Sequence, residues 1–309
     1  MPLPSTIATE LEKLGLELQQ DAPLQKRTWW RTGGLADGFA HVGSVEALAS
    51  VQRLCTDANC PVFVLGNASN LLISDRGIRG LVIRLNGELA RVELDESTPP
   101  VLTVGAGVKL MSFVNKMQRM GWTGLELLAG IPGTIGGAVR MNAGTALGEV
   151  VDRLVSVELV SSSGQVNWLE AEALNMRYRH CELPAGAIVA RARFTTTGAD
   201  QTESRDQIRH HLEYRARTQP VDVPTCGSTF RNPPGDTAGR LIDSAGLKGC
   251  RIGGAEVSEK HANFIVNTGT ASADDIRDLI EHVQAEVQRI HGVSLHREVH
   301  YSGDWSHRD

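Results

Sequence analysis

Two glycine-rich segments in the first half of the chain have the residue types that hold a phosphate-bearing ligand. The first, GNASN at residues 66–70, follows a short apolar run directly. Small residues let the backbone approach an anion, and successive N–H groups form a concave phosphate nest. The segment differs from the dinucleotide fingerprint G-x-G-x-x-G, and a plain turn is the ordinary alternative. Both interpretations stay open on this segment alone.

The second segment is AGIPGTIGGA at residues 129–138, followed closely by MNAG at 141–144. So many glycines are entropically unfavourable unless the backbone must pass close to another group. With Thr134 and Asn142 among them, the two stretches could wrap a flat cofactor. The alternative is a tightly packed loop crossing.

Three further sites carry polar groups that could act on a substrate. Ser228 lies in CGSTFRNP at residues 226–233, and no G-x-S-x-G elbow surrounds it, so a hydrolase nucleophile is not predicted. The run RYRH at 177–180 could be a solvated strand face, although a guanidinium also binds carboxylates well. Glu298 lies in LHREV at 295–299, where a surface position is the ordinary alternative.

The elements that must position these residues alternate between strands and helices in the first half of the chain. Apolar spacing predicts helices over 45–60 and 110–120 and strands over 61–65, 81–85, 101–104 and 188–194, with a hairpin over 154–169 that turns at Ser163 and Gly164. Repeated glycine and proline between residues 121 and 148 predict a loop with a short helix.

The C-terminal part is introduced by a polar run, TTTGADQTES at 195–204, which we predict to be a linker. One clear helix follows much later. Ser272 can cap it, Asp275 occupies the capping-box position and Gly292 ends it. Its apolar residues are Ile276, Leu279, Ile280, Val283, Val287 and Ile290. We interpret this helix as structural.

Length and composition limit the class of protein. A chain of 309 residues predicts two or three domains, and 41% hydrophobic with 22% charged residues is typical of a soluble globular protein. The net charge of −5 argues against nucleic acid and anionic membranes as partners. No basic N-terminal region precedes an apolar run, and no apolar run approaches membrane-spanning length. Five cysteines without a C-x-x-C pair argue against disulfides and metal and predict a cytoplasmic location.

Several long segments carry a family resemblance. The segments are PVFVLGNASNLLISDRGIRGLVIRL, AGIPGTIGGAVRMNAG, the pair YR at 178–179, TQPVDVPTCGSTFRNPPGDTAGRLIDSAGLKG, IGGAEVSEKHANFIVNTG and LHREV. Through these segments the chain resembles UDP-N-acetylenolpyruvoylglucosamine reductases over roughly residues 25 to 303. The length of the C-terminal motifs makes this resemblance highly specific.

The resemblance implies an α+β fold. Two subdomains of the FAD-binding type found in vanillyl-alcohol-oxidase-like (PCMH-type) flavoproteins are followed by a C-terminal α+β substrate-binding domain. We expect the boundaries at 1–86 and 87–203 for the two FAD-binding subdomains and at 204–309 for the substrate-binding domain.

The resemblance also implies that both glycine-rich segments hold FAD. The residues expected to contact it are Gly66, Asn67, Ala68, Ser69, Asn70, Gly130, Ile131, Pro132, Gly133, Thr134, Gly136, Gly137, Asn142, Ala143 and Gly144. The family's first loop is usually GGGSN, and here two small residues replace two glycines, so we expect the nest to survive. Some fold relatives attach flavin covalently, often through a histidine after a glycine pair. Leu35 follows that pair here, so we predict non-covalent FAD.

The reaction implied by the resemblance has two halves: hydride passes from NADPH to FAD, and then to the enolpyruvyl Cβ of a UDP-sugar. Ser228 is expected to protonate Cα, while Arg179 and Glu298 stabilise the enolate. Cys181 stands where the family often has serine, two positions after the arginine. Tyr178, Arg231 and Asn232 are candidate substrate contacts, and Arg231 replaces the family's lysine.

Two alternatives remain from the sequence. A flavin oxidase of the same fold would let oxygen reoxidise the flavin quickly, and it leaves the C-terminal motifs unexplained. A UDP-sugar-binding protein without catalysis would be colourless when purified.

Overall fold

The chain folds into two compact units. The computed structural model describes residues 3–95, 101–197 and 200–308. The first unit comprises the described residues of Met1–Gln20, Gly38–Asn67 and Gly80–Glu213. The second comprises those of Asp21–Asp37, Ala68–Arg79 and Tyr214–Asp309. Each unit is therefore assembled from separate stretches of sequence, and the three-part division expected from the sequence stays a prediction.

The helices and strands are as follows in chain order. The helices are α1 (Ser5–Lys13), α2 (Val45–Asp57), α3 (Leu110–Arg119), α4 (Ile135–Arg140), α5 (Gln201–Thr218), α6 (Ala238–Ser244) and α7 (Ala273–His291). The strands are β1 (Leu18–Pro23), β2 (Leu35–Val42), β3 (Val62–Val64), β4 (Leu71–Ile73), β5 (Ile78–Leu85), β6 (Val92–Asp95), β7 (Val101–Gly105), β8 (Gly144–Thr145), β9 (Gly148–Glu149), β10 (Leu154–Val160), β11 (Val166–Glu170), β12 (Ile188–Thr195), β13 (Thr225–Ser228), β14 (Arg251–Ile252), β15 (Ala255–Val257), β16 (Phe264–Asn267) and β17 (His300–Ser302).

The first unit is built on a five-stranded antiparallel sheet with the order β11-β10-β12-β7-β6. Its apolar core is continuous, and helix α3 contributes Phe113, whose ring centroid lies 6.2 Å from that of Phe194 on β12. Both rings are almost completely buried. A short strand pair, β8 with β9, lies just after α4 in the sequence.

A four-stranded sheet has the order β1-β2-β5-β3. Strand β3 pairs with β5 in parallel, with Val62 opposite Leu81. The apolar run that ends at Leu65 is fixed by this pairing, because the Leu65 N–H donates to the carbonyl of Ile83. The first glycine-rich segment begins at the next residue.

The second unit contains a four-stranded antiparallel sheet with the order β13-β16-β15-β14 and its own apolar core. Trp30 lies in this core, and its indole N–H donates to the carbonyl of Ile265 on β16. Asn267 on the same strand donates to the carbonyl of Trp30. A separate parallel pair joins β17 to β4, with His300 opposite Leu71.

Most elements expected in the first half are confirmed. The predicted hairpin over 154–169 corresponds to β10 and β11, and the Gly164 N–H donates to the carbonyl of Ser161 in its turn. Between residues 121 and 148 the expected short helix is α4. The helix expected over 45–60 ends at Asp57, because Asn59 takes a left-handed conformation and the Cys60 N–H closes the turn on Cys55.

The C-terminal predictions are confirmed in part. Helix α7 has the predicted cap at Ser272, the reciprocal capping box with Asp275 and the left-handed Gly292 at its end. Ile290 is 42% exposed and lies outside the buried stripe. The predicted linker is wrong at Gln201 to Ser204, which form the first turn of α5, and residues 198–199 lie outside the described part. Helix α5 is so polar that only Ser204 and Ile208 are buried, so apolar spacing did not predict it.

Candidate active site

In the first unit, the two glycine-rich segments lie against each other. The Asn67 side chain donates to the carbonyl of Pro132 over 2.5 Å. A Cβ added to Gly66 would lie 2.8 Å from the hydroxyl oxygen of Thr134, closer than real Cβ contacts. A larger residue at position 66 would therefore force the Thr134 hydroxyl to move. The structure thus brings together residues that the sequence analysis assigned to FAD from both segments.

Gly137 is the open position of the second glycine-rich segment. Thr134 caps α4 by accepting from the Gly137 N–H. Gly137 is exposed, and an added Cβ there would touch only Thr134, at 3.6 Å. Most N–H groups of residues 130–137 donate to protein acceptors, so the exposed Gly137 offers a cofactor phosphate close approach of the backbone rather than a row of free donors. Residues 66–67 and 130–137 of this unit therefore fit a phosphate-bearing cofactor.

The remaining residues of the first segment belong to the second unit. Ala68 has a φ of 50°, in the left-handed region where the family usually has glycine. The Asn70 side chain donates to the main-chain oxygen of Glu298 over 3.2 Å, and the His300 N–H donates to the Asn70 carbonyl. Asn70 is thus linked to Glu298, a predicted catalytic residue, and to the start of β17. Ser69 is half-buried next to it.

Asn142 is fully buried and its side chain bonds to protein groups. Its Nδ2 donates to the carboxylate of Glu149 over 2.8 Å and to the carbonyl of Arg177 over 3.2 Å. Its Oδ1 accepts from the Val151 N–H. Asn142 therefore fixes the β8–β9 pair and the segment before Arg179.

Tyr178 and Arg179 form the corner of a tight two-residue turn. Arg177 and His180 exchange main-chain hydrogen bonds of 3.0 and 2.8 Å across it. Arg179 has a φ of 54°, and Tyr178 is 48% exposed. The turn exposes Tyr178 at the surface of the first unit, whereas the side chain of Arg179 is only 19% exposed.

The Arg179 guanidinium is held by the β8–β9 pair and by its neighbour. Its Nη2 donates to the carbonyl of Gly144 over 3.3 Å, and its Nη1 lies 4.0 Å from the carboxylate of Glu149. The guanidinium carbon lies 5.0 Å from the centre of the Tyr178 ring, within cation–π range. These contacts orient a fixed positive charge.

Cys181, two residues after Arg179, is buried. Burial raises the pKa of its thiol to about 11, and the charge of Arg140 acts in the opposite direction. At neutral pH the residue is therefore a neutral thiol, which preserves the uncharged character of the family's serine.

In the second unit, Ser228 and Glu298 lie on adjacent segments. Ser228 ends β13 opposite Phe264, after a bulge that contains Gly227 at a φ of 77°. The Glu298 N–H donates to the carbonyl of Thr229 over 2.8 Å. Both predicted catalytic side chains are half-buried. Bulges beside functional sites commonly redirect a side chain, which fits the position of Ser228.

Two of the three candidate substrate contacts, Arg231 and Asn232, lie three and four residues after Ser228. The Nε of Arg231 is buried without a hydrogen-bond partner among the described residues, an arrangement that suits an anionic ligand. Asn232 is exposed, and its Oδ1 accepts from the Ala238 N–H at the start of α6.

Comparisons with known proteins give a consistent assignment. Residues 219–302 match the model "UDP-N-acetylenolpyruvoylglucosamine reductase, C-terminal domain", and residues 36–170 match the model "FAD binding domain". A UDP-N-acetylenolpyruvoylglucosamine reductase from Myxococcus xanthus is 42% identical over 97% of this chain and 97% of its own length. One from a Synechococcus species is 44% identical over 92% and 93%, respectively.

The chain belongs to the UDP-N-acetylenolpyruvoylglucosamine reductase family. A crystal structure of a member of this family from Thermus caldophilus superposes with a TM-score of 0.80 at 38% identity, covering 93% of this chain and 98% of that one. The α+β fold with an FAD-binding domain and the reductase C-terminal domain is confirmed.

Two contacts in this reductase-family site were not identified from the sequence. Glu149 beside Arg179 is one, and its only sequence signal was its place just after the second glycine-rich segment. Asn263 is the other: it is a buried polar residue before an apolar strand, in HANFIVN. In the described part of the chain, no helix has both the length and the apolar character of a membrane span. No cluster of metal-ligating side chains occurs there either.

Proposed function

We propose that this chain is an FAD-dependent reductase that uses NADPH to convert UDP-N-acetylglucosamine enolpyruvate into UDP-N-acetylmuramate, in peptidoglycan precursor synthesis. One observation carries the proposal. An FAD binding domain and the reductase's own C-terminal domain occur in one chain, whose relatives of that name match nearly its full length. Because both domains and nearly the full length match, the similarity supports the activity as well as the fold.

FAD, when bound, supplies the hydride chemistry by accepting a hydride from NADPH and delivering it to the enolpyruvyl group. Residues 66–67 and 130–137 would hold it, because the two segments are in contact and the small, exposed Gly137 lets a cofactor approach the backbone closely. Leu35 follows the glycine pair where covalently flavinylated relatives carry an attachment residue, so we propose that FAD binds without a covalent link.

Ser228 would protonate the substrate Cα after hydride arrives at Cβ. The carbanion-like enolate is a strong base, so a positioned hydroxyl suffices as the acid. Ser228 lies directly after a bulge in β13. A bulge redirects the side chain that follows it, which supports a role for the Ser228 hydroxyl toward the substrate. Losing a general acid typically lowers a rate by roughly 10²–10⁴-fold.

Arg179 would bind the substrate carboxylate and the negative charge that grows on it. The contacts to Gly144 and Glu149 support this role, because they hold the guanidinium in one orientation before substrate arrives. Glu298 would assist in polarising the enol carboxyl group. Its attachment to Thr229 ties it to the segment that carries Ser228.

Tyr178, Arg231 and Asn232 are proposed to contact the UDP-sugar. The unpartnered, buried Nε of Arg231 supports a role for that residue toward the diphosphate. We propose a cytoplasmic location, supported by the five free thiols.

The deciding experiment follows NADPH absorbance in air with purified protein. We expect a yellow protein that consumes NADPH slowly alone and rapidly after the enolpyruvyl substrate is added. UDP-N-acetylglucosamine, which lacks the enolpyruvyl group, is the control and should give no acceleration. Acid precipitation should release the flavin into solution.

Three outcomes would contradict the proposal. Rapid NADPH consumption by oxygen without substrate would indicate a flavin oxidase. A colourless protein that takes up no FAD would indicate a UDP-sugar-binding protein. Flavin that stays with the precipitate would refute the non-covalent link.

A further inference from the structure

The segment at 228–232 carries the proposed proton donor and two proposed substrate contacts, and it extends beyond the end of β13. Along this segment the hydrogen-bond partner changes from main chain to side chain. Ser228 pairs with Phe264 as a regular strand residue, and the Thr229 N–H then donates to the main-chain carbonyl of Asn263 over 2.8 Å. Beyond that residue, the next pairing uses a side chain.

The Asn263 side chain binds both main-chain groups of Phe230. Its Nδ2 donates to the Phe230 carbonyl over 2.8 Å, and its Oδ1 accepts from the Phe230 N–H over 2.9 Å. Asn263 is 3% exposed, so water does not compete for these groups. The Asn263 carboxamide thus takes the place of a main-chain partner and extends the hydrogen bonding of the segment by one residue, to Phe230.

The opposite edge of the same segment is bonded to residues near Glu298. The Glu298 N–H donates to the carbonyl of Thr229 over 2.8 Å, and the Arg231 N–H donates to the carbonyl of His296 over 2.9 Å. The segment is therefore fixed on both edges. Asn263 fixes one of them at the residue midway between Ser228 and Asn232.

We propose that Asn263 is a positioning residue that sets the direction of Ser228 relative to Glu298. The inference rests on the proposed function of Ser228 and assigns to Asn263 no contact with substrate. Without the two bonds to Phe230, the segment beyond Thr229 keeps the bond from the Arg231 N–H to His296 on one edge and the contact of the Asn232 side chain with Ala238 at its end. A small displacement of a general acid is enough to slow a reaction by roughly 10²-fold.

A second buried asparagine, at the end of the strand that follows Asn263, provides a matched control. Asn267 is 6% exposed, and its side chain also bonds to backbone, to the carbonyl of Trp30 and the N–H groups of Gly269 and Ala271. It touches no part of the segment at 228–232 through these bonds. Asn267→Ala therefore removes a comparable buried network at a different place.

The experiment compares Asn263→Ala, Asn263→Asp and Asn267→Ala with the unchanged holoenzyme and with Ser228→Ala. Asn263→Asp keeps the side-chain volume and the acceptor for the Phe230 N–H, and it remains informative if the alanine variant folds poorly. Stopped-flow absorbance measures flavin reduction by NADPH and flavin reoxidation by the enolpyruvyl substrate separately. Amide hydrogen exchange reports the bond at Phe230, and thermal unfolding reports stability.

Both Asn263 variants should slow reoxidation at saturating substrate by roughly 10–100-fold and change flavin reduction by less than about twofold. The Phe230 amide should exchange faster in Asn263→Ala. Asn267→Ala should lower the unfolding temperature and leave both half-reactions unchanged. Normal reoxidation in the Asn263 variants, or equal slowing in Asn267→Ala, overturns the inference. Normal reoxidation in Ser228→Ala refutes the proposed role of Ser228 instead, and the positioning role is then overturned with it.

Discussion

The side chain of Asn70 donates a hydrogen bond to the main-chain oxygen of Glu298 over 3.2 Å. One of these residues is proposed to contact FAD and the other to act on the substrate. They lie 228 positions apart in the sequence, so no spacing argument could have joined them. Both residues belong to the second unit. This bond and the one from the His300 N–H to the Asn70 carbonyl therefore hold Asn70 next to the main chain at Glu298.

Ser228→Ala should leave flavin reduction by NADPH nearly unchanged and slow reoxidation by the enolpyruvyl substrate by roughly 10²–10⁴-fold. A proton donor matters only after hydride reaches the substrate, which is why the two halves should separate. Stopped-flow measurement of each half checks this. Slower flavin reduction with normal reoxidation would show that the serine has another role.

Arg179 and Glu298 should differ in their kinetic signatures. Arg179→Ala should raise KM and lower kcat, since the substrate carboxylate is negative before and during the reaction. Glu298→Gln should lower kcat more than it raises KM, because an anionic group gains nothing by binding a carboxylate. Steady-state kinetics of each single variant checks both expectations.

The double variant tests whether Arg179 and Glu298 act on one developing charge. Residues that act as a unit give non-additive losses. The fold-loss in kcat of the double variant should therefore be much smaller than the two single fold-losses multiplied together. Full additivity, or a normal kcat in Glu298→Gln, would return Glu298 to an ordinary surface role.

Glu149→Gln should lower kcat roughly fivefold without raising KM. The carboxylate helps to orient the Arg179 guanidinium from 4.0 Å, and a partly exposed pair of this kind contributes about 1 kcal/mol. Removing its charge also removes repulsion toward the substrate carboxylate, which is why KM should not increase. Glu172→Gln, at an exposed position of the same unit, is the control and should behave normally. An equal effect at both positions would exclude a specific role for Glu149.

Gly137→Ala and Gly66→Ala should separate cofactor binding from folding. At Gly137 an added methyl group meets only Thr134, so the apoprotein should be more stable by about 0.5–1 kcal/mol while FAD binds less tightly. At Gly66 the methyl group approaches Thr134 to 2.8 Å, and the apoprotein itself should lose stability. Thermal unfolding of the apoproteins and titration with FAD measure both effects. Unchanged FAD affinity in Gly137→Ala would place the cofactor elsewhere.

Sequence patterns predicted elements where an apolar stripe and a cap coincide. Helix α7 has both, and its start at Ser272 and end at Gly292 were predicted correctly. Helix α5 has almost no buried stripe, and its start is held by a cap, in which the Asp200 carboxylate accepts from the Thr202 N–H, and by the Ser204 hydroxyl, which donates to Glu126. A polar run that looks like a linker is helical here because of such a cap.

The site was predictable only as separate motifs. The resemblance supplied Arg179, Ser228 and Glu298, whereas their supports come from distant strands. Asn263 contacts Phe230 through its side chain, and neither residue carries a pattern that indicates a partner. Likewise, Asn142 was predicted to contact FAD, and only the structure shows its amide engaged with Glu149. That predicted FAD contact stays untested.

The parallel pair of β4 and β17 places a constraint on biosynthesis. His300 lies opposite Leu71, so the strand that follows Ala68 and Asn70 gains its partner only after 229 further residues have been translated (300 minus 71). During synthesis the first glycine-rich segment therefore emerges from the ribosome long before its neighbour. Such a large sequence separation slows folding and leaves an unpaired strand edge exposed. A ribosome stalled before residue 300 would hold a nascent chain whose Ala68–Asn70 backbone is still unfixed on that side, and chaperones that cover strand edges would be expected to bind it there.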